Sequence, residues 1–249
     1  MRKEIRHVHD LPRLPGRPEK FHKGDAGRIV VIAGSAGMTG SGCLSSQAAL
    51  RTGSGLVYYV VPDALRDIVE IKLTEVISIP VADRDTGRFL PASADDILSA
   101  ASGCDAAAVG PGVGRSPETA ALINDLVSRL EIPMVVDADG FAITAPETLA
   151  ARKPPAVITP HPGEMAAWLG RSVSDIQSAR EETATEVAGA YGVITVLKGH
   201  RTVVADHARI YVNQTGNPGM ATAGAGDVLT GMIAGLIGQG MPLFEAAVL

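Results

Sequence analysis

The feature that most restricts the fold of this chain is a series of short, unbroken apolar runs, each closed by a glycine-rich or polar turn. Ile29-Val30-Val31-Ile32-Ala33, Leu56-Val57-Tyr58-Tyr59-Val60-Val61, Val76-Ile77-Ser78-Ile79 and Ala106-Ala107-Ala108-Val109 open the series. Met134-Val135-Val136, Ala156-Val157-Ile158 and Val193-Ile194-Thr195-Val196-Leu197 continue it. Strands without apolar–polar alternation are buried on both faces. Helical spacing is read between them over residues 44–50, 65–73, 117–130, 145–151, 162–169 and 174–190. Such alternation predicts an α/β fold with a mainly parallel central sheet and helices on both faces. Thr202-Val203-Val204-Ala205 and Arg209-Ile210-Tyr211-Val212, split by Asp206-His207-Ala208, read as a β-hairpin near one edge. No repeat, linker or composition break interrupts the 249 residues, so one domain over 1–249 is expected. Residues 1–27, with Pro12, Pro15 and Pro18, read as an arm that leads into the fold or reaches a neighbouring subunit.

Charge and composition exclude several functions. Lys and Arg number 22 against 27 Asp and Glu, a net charge of -5 that gives no support for a nucleic-acid or anionic-membrane partner. Cys43 and Cys104 are too few and too isolated for a disulfide framework or a metal site. Met1-Arg2-Lys3-Glu4-Ile5-Arg6 does not read as a signal peptide, and no apolar run approaches the ~20 residues that span a bilayer. A cytoplasmic setting is expected.

The polar motifs fall at the carboxyl ends of the predicted strands, where ligands bind in sheets of this kind. The most informative is residues 216–231, where Gly224-Ala225-Gly226-Asp227 passes into the helical pattern Val228, Leu229, Met232, Ile233, Leu236, Ile237. Gly224, Ala225 and Gly226 are thereby expected at a helix N-terminus with bare N–H groups, a site that attracts phosphate. A carboxylate is a poor phosphate ligand, so Asp227 in that first turn suits a base that takes a proton from a hydroxyl attacking the phosphate. The alternative is an ordinary acid favoured at a helix start.

The other loops are weaker taken singly. Gly34-Ser35-Ala36-Gly37-Met38-Thr39-Gly40-Ser41-Gly42 is neither a Gly-x-Gly-x-x-Gly fingerprint in register nor a Walker A motif, and a helix is expected from near Ser41. Gly110-Pro111-Gly112-Val113-Gly114-Arg115 suits positive φ and close backbone approach to a ligand. Asp137 and Asp139 can hold hydrated Mg²⁺, position a ribose or cap a helix. Thr159-Pro160-His161-Pro162-Gly163-Glu164 holds a histidine rigidly in a solvent-reachable turn. Glu164 could reach a metal through water or serve only as a helix-start acid, and zinc is disfavoured for want of a second ligand at the right spacing. Lys198-Gly199-His200-Arg201-Thr202 is a basic turn suited to a nucleotide phosphate or base edge.

Asn217-Pro218-Gly219-Met220-Ala221-Thr222-Ala223-Gly224-Ala225-Gly226-Asp227-Val228-Leu229-Thr230-Gly231 resembles the signature of the ADP/ATP-dependent NAD(P)H-hydrate dehydratases, the repair branch of the ribokinase-like superfamily. The family usually has Thr where this chain has Ala225, and more often Ala where it has Ser41. The resemblance covers about Phe21 to the end, with six motifs in the family's order. It implies a ribokinase-like fold of the type found as the C-terminal domain of the bifunctional repair enzyme. The implied reaction is ADP-dependent dehydration of the (6S) hydrate of NADH or NADPH, with ATP as the alternative donor and Mg²⁺ as cofactor. Asp227 is implied as catalytic base and substrate ligand, with Ser41, Gly112, Gly114 and His161 in the substrate pocket. Lys198, Gly199, His200, Arg201, Thr202 and Gly226 are implied to bind the nucleotide, and Gly224, Ala225 and Gly226 to form an anion hole. The same resemblance implies a homotetramer, a separate NAD(P)H-hydrate epimerase as pathway partner, and further C-terminal helical sequence beyond Phe244–Leu249. The rival expectations are a ribokinase-like kinase of a vitamin-precursor alcohol and a non-catalytic nucleotide-binding relative; loss of the base would mark the latter. A dinucleotide oxidoreductase is disfavoured by the missing fingerprint register.

Overall fold

The computed structural model describes residues 5–249; the reading of Met1–Glu4 as no signal peptide lies outside the described residues. The strands are β1 (Arg6–Val8), β2 (Arg28–Ile32), β3 (Leu56–Pro62), β4 (Ile77–Val81) and β5 (Ala106–Val109). They continue with β6 (Met134–Val136), β7 (Ala156–Ile158), β8 (Ile194–Leu197), β9 (Val203–Ala205) and β10 (Arg209–Val212). All ten join one sheet in the order β1-β10-β9-β8-β7-β6-β5-β2-β3-β4. From β8 to β4 every neighbouring pair is parallel, whereas β9 runs antiparallel to both β8 and β10.

The apolar runs behave as their composition requires. Ile29 and Val31 enter one core, whereas Val30 and Ile32 enter the other, and all four are fully buried. On the first face lie α1 (Thr39–Thr52), α2 (Arg66–Lys72), α10 (Ala225–Gly238) and α11 (Leu243–Val248). The second face carries α3 (Ala94–Ala101), α4 (Pro117–Arg129), α5 (Ala138–Ile143), α6 (Pro146–Ala150) and α7 (Pro162–Leu169), followed by α8 (Val173–Ser178) and α9 (Arg180–Tyr191). The α10 helix packs along α1 and lies against β2, β5 and β6, where the alanines of β5 leave room for it. Close approach of the two helices depends on Gly231, since a methyl there would collide with the Ser45 carbonyl. No helix among the described residues is long and apolar enough to cross a membrane.

Some expectations need correction. The helical stretch 174–190 is two helices, broken at Ala179, which stands at φ -135 and ψ 47. The helix expected near Ser41 starts at Thr39. The N-terminal arm folds onto its own chain: Arg6–Val8 pair in parallel with β10, and Arg17 donates to the Gly53 carbonyl at 2.6 Å and to Gln239 Oε1 at 2.8 Å. The β9–β10 hairpin does lie near one edge, as expected, with β1 outside it.

Candidate active site

The loops that carry the polar motifs all leave the carboxyl ends of parallel strands, and backbone bonds beyond those ends join one loop to the next. Gly34 N–H donates to Pro111 O at 2.8 Å, Gly110 N–H to Ile32 O at 3.0 Å and Asp137 N–H to Val109 O at 3.1 Å. Thr159 N–H donates to Val136 O at 3.3 Å, and Lys198 N–H to Pro160 O at 2.9 Å. The site therefore has a continuous backbone floor running from β2 to β8.

Above that floor stands the N-terminus of α10, whose cap is Gly224 and whose first turn carries Asp227. No protein acceptor takes the N–H groups of Gly224, Gly226 and Asp227 among the described residues. The Ala225 N–H differs: it donates to Thr222 O at 3.3 Å, so the expectation of three bare amides is corrected to two at Gly224 and Gly226. A turn closing onto Thr222 accounts for the difference. Asp227 is half-buried, and its carboxyl is held above the usual aspartate range. Burial is the main cause and the nearby charge of Asp137 adds to it, while the Ser41 hydroxyl and the Lys198 charge pull the other way. The result is a carboxylate made more basic than in water.

Ser41 and Gly112 meet beside it. Gly112 has φ +64, and a methyl on it would lie 2.8 Å from Ser41 Oγ, so only glycine brings this loop so close to α1. Ser35 Oγ donates to Gly112 O at 2.8 Å and holds the loop down. Gly114 N–H donates to Asp139 Oδ2 at 3.1 Å, and Arg115 Nε to Asp139 Oδ1 at 2.6 Å. Asp139 is thus a clamp on the Gly110–Arg115 loop; the cap residue of α5 is Asp137, without a side-chain cap bond.

His161 is the N-cap of α7, with Nδ1 accepting from Gly163 N–H at 3.0 Å and Glu164 N–H at 3.2 Å. Glu164 Oε2 accepts from His161 N–H at 2.8 Å, which completes a capping box with histidine in the place normally taken by serine or threonine. The rest of the His161 ring is exposed, 56% of its side chain being open to solvent. The helix-acid reading of Glu164 is therefore observed directly.

In the basic turn, Lys198 faces inward while His200 and Arg201 are exposed. Lys198 Nζ donates to Asp137 Oδ1 at 2.8 Å and lies 3.9 Å from Glu164 Oε2. Thr202 Oγ1 donates to Gly199 O at 3.0 Å. The turn is braced by Arg180, which donates to the carbonyls of Leu197 at 2.8 Å, Lys198 at 3.2 Å and His200. Burial lowers the affinity of Arg180 for its proton, yet these carbonyl bonds suit its charged form.

Four contributors carry no sequence signal of their own. Ser45 Oγ donates to Asp227 O at 2.9 Å, and Thr230 Oγ1 to Asp137 Oδ2 at 2.8 Å. Gly87 O accepts from Ala36 N–H at 2.8 Å, in a turn organised by the buried Asp83, whose Oδ2 takes the Gly87 N–H at 2.6 Å. Among the described residues no group of three or more His, Cys, Asp or Glu is arranged to hold a metal ion.

Together these elements place a basic carboxylate, the three free amides of Gly224, Gly226 and Asp227 and a lysine ammonium around one glycine-lined cleft, the equipment for phosphoryl transfer to a bound hydroxyl. The chain is similar to known proteins over nearly all of its own length. A family model described as NAD(P)H-hydrate dehydratase matches residues 29–249. The bifunctional NAD(P)H-hydrate repair enzyme of Moorella thermoacetica is 43% identical over 239 residues, covering 95% of this chain and 45% of that protein. This chain accordingly spans about half the length of the bifunctional relatives it matches. The ADP-dependent (S)-NAD(P)H-hydrate dehydratase of Neisseria meningitidis serogroup B is 39% identical, with 93% of this chain and 76% of that protein covered. The crystal structure of the ADP/ATP-dependent NAD(P)H-hydrate dehydratase from Bacillus subtilis, co-crystallized with ATP/Mg²⁺, superposes at a TM-score of 0.75 with 29% identity, covering 94% of this chain and 82% of that one. A ribokinase-like superfamily protein of Enterococcus faecalis V583 superposes at 0.81 with 22% identity, over 94% of this chain and 79% of that one, which establishes the ribokinase-like fold. With its fold and nearly its whole length matched, the chain belongs to the NAD(P)H-hydrate dehydratase family.

Proposed function

We propose that this protein returns the (6S) hydrate of NADH or NADPH to the reduced dinucleotide, with ADP as phosphoryl donor and ATP as the alternative. The observation that carries this reading is Asp227, a carboxylate made basic by burial in the first turn of α10, beside the unpartnered amides of Gly224 and Gly226. Hydroxide is a poor leaving group and a phosphate ester a good one, so phosphorylating the C6 hydroxyl opens a route to elimination. Asp227 takes the proton from that hydroxyl as its oxygen attacks the terminal phosphoryl group. The Gly224 and Gly226 amides, with the positive end of α10, receive the negative charge that develops on the transferred group. The nucleotide leaves with the electrons of its broken P–O bond. Phosphate then departs from C6, pushed by the lone pair of the ring nitrogen, and loss of a proton from the adjacent ring carbon restores the dihydronicotinamide.

Ser41, Gly112, Gly114 and the exposed edge of His161 line the substrate side of this cleft. Lys198, Gly199, His200, Arg201, Thr202 and Gly226 serve the nucleotide side. Mg²⁺ neutralises phosphate charge when bound. Among the described residues no cluster of acids would cage such an ion, so it would be held chiefly by the phosphate oxygens, and Glu164, beyond its capping role, would be the side chain to reach it through water. Family resemblance alone carries the further proposals of a homotetramer and a separate epimerase; the cytoplasmic setting expected from the sequence is proposed as well.

The test is to mix the protein with Mg²⁺, hydrated NADH and either ADP or ATP, and to follow the reduced-nicotinamide absorbance. Recovery with ADP is expected. Recovery with ATP alone would reverse the choice of donor, and recovery with neither would refute the dehydratase reading.

A further inference from the structure

Asp137 has no part in the reaction described above, yet it is the most deeply buried carboxylate of the site, at 1% exposure. Both of its oxygens are occupied: Oδ1 accepts from Lys198 Nζ and Oδ2 from Thr230 Oγ1, each at 2.8 Å. The pair lies directly under the α10 N-terminus. A methyl on Gly226 would stand 3.4 Å from Lys198 Nζ and 3.8 Å from Asp137 Oδ2.

The location is electrostatically awkward for a cation. The N-terminus of a helix is its positive end, so an ammonium placed there is repelled, and a lysine on its flexible stem would swing out to water. Burying an ion pair is itself a poor way to gain stability, because two charges lose hydration for one attraction. The arrangement makes sense when an anion is to arrive between the helix end and the ammonium. Lys198 is anchored at its main chain as well, through its N–H to Pro160 and its carbonyl to Arg180. Only the ammonium end needs a further tether, and Thr230, one helical turn beyond Gly226 on α10, orients the carboxylate that supplies it.

We infer that Asp137 is a positioning residue that holds the Lys198 ammonium at the α10 N-terminus for the terminal phosphate of an adenine nucleotide, with Thr230 fixing Asp137 in turn. This rests on the nucleotide side of the cleft as proposed above. It assigns Asp137 neither to magnesium nor to a ribose. Its effect on nucleotide binding is confined to the phosphate: the nucleoside portion does not depend on it.

The experiment is a calorimetric titration of the full chain with ADP and, separately, with adenosine. It compares wild type, Asp137→Asn, Lys198→Met, the double variant and Thr230→Val. Asparagine preserves the volume of Asp137 and one acceptor oxygen, while removing the charge and turning the other acceptor into an NH₂ donor. Asp137→Asn is expected to weaken ADP about tenfold or more and to leave adenosine unchanged, the size of loss typical when the partner that orients a ligating group is removed. Lys198→Met should do the same, and the double variant should be within about twofold of Lys198→Met, since the two residues act as one unit. Thr230→Val should fall between wild type and Asp137→Asn. Equal losses of ADP and adenosine, additive losses in the double variant, or full ADP affinity in Asp137→Asn would each overturn the inference. If wild type shows the expected ADP pattern but regenerates no reduced nicotinamide from the hydrate, the positioning role stands and the dehydratase reading falls.

Discussion

Ser45 on α1 and Asp227 on α10 are joined by a hydrogen bond from the Ser45 hydroxyl to the Asp227 backbone carbonyl at 2.9 Å, 182 positions apart in the chain. The bond sets the rotation of the first turn of α10 about its axis, and so the direction in which the carboxylate points. Ser45→Ala should lower stability by about 1 kcal/mol, the net worth of one such bond. Its larger effect should be on turnover, with kcat falling about tenfold and KM little changed, because a misdirected base spoils the reacting geometry rather than binding. Steady-state kinetics beside a denaturant melt would decide; an unchanged kcat would show that the turn is held in place without this bond.

Gly231→Ala tests the contact between the same two helices. The added methyl would meet the Ser45 carbonyl and come within 2.9 Å of Ala48 Cβ, so α1 and α10 must separate. Overpacking of this kind costs about 1–3 kcal/mol. A urea midpoint equal to that of wild type would contradict the packing described.

The raised affinity of Asp227 for its proton has two consequences of opposite sense. For catalysis, the acidic limb of the kcat/KM profile should lie above the ordinary aspartate value of about 4, because the base must be ionised. For stability, the folded state binds this proton more tightly than the unfolded chain does. Stability contributed by the protonated group is therefore lost as pH rises from the unfolded-state value through the folded-state value. Asp227→Asn should abolish turnover, retain ADP binding and melt higher than wild type at neutral pH, the difference shrinking in acid. An active Asn variant would remove Asp227 from the role of base.

Both thiols are buried and held protonated. Burial pushes Cys104 up to about 11, and Cys43 is raised for the same reason. Neither should be alkylated by iodoacetamide at pH 8 in the native protein, and both should react once it is unfolded. Rapid native labelling of either would show that the core around it opens.

Much of the fold could be read from the chain because doubly buried strands need unbroken apolar runs, and β2, β3 and β5 have them. The strand β1 could not be, since Arg6-His7-Val8 is short and polar and pairs only because β10 offers it an edge. The α5 helix was signalled only by the helix-cap alternative for Asp137 and Asp139, and α3 follows a loop whose turns at Arg84 and Asp85 take positive φ without glycine. In the site, the loops at the strand ends were visible as glycine and proline clusters. Their fastenings were not. Ser45, Thr230 and Asp83 act on groups remote in the chain or on their own backbone turns, and a hydroxyl or carboxylate gives no hint in the sequence of which partner it will meet. His161 shows a different difficulty: its motif marks an exposed, rigid residue, and the capping of α7 by its ring was not legible.

The backbone bonds that run past the strand ends, from Gly34 and Pro111 through Asp137 and Thr159 to Lys198 and Pro160, also govern how the cleft can move. Each loop borrows a partner from its neighbour, so none can peel away without leaving the next one short of a donor or an acceptor. Substrate-side and nucleotide-side loops consequently form one opening unit, and their amide hydrogens should exchange with a shared free energy rather than five separate ones. A ligand seated at either end of the row would slow exchange at the other. The loops proposed for substrate and for nucleotide are thus mechanically linked through the main chain.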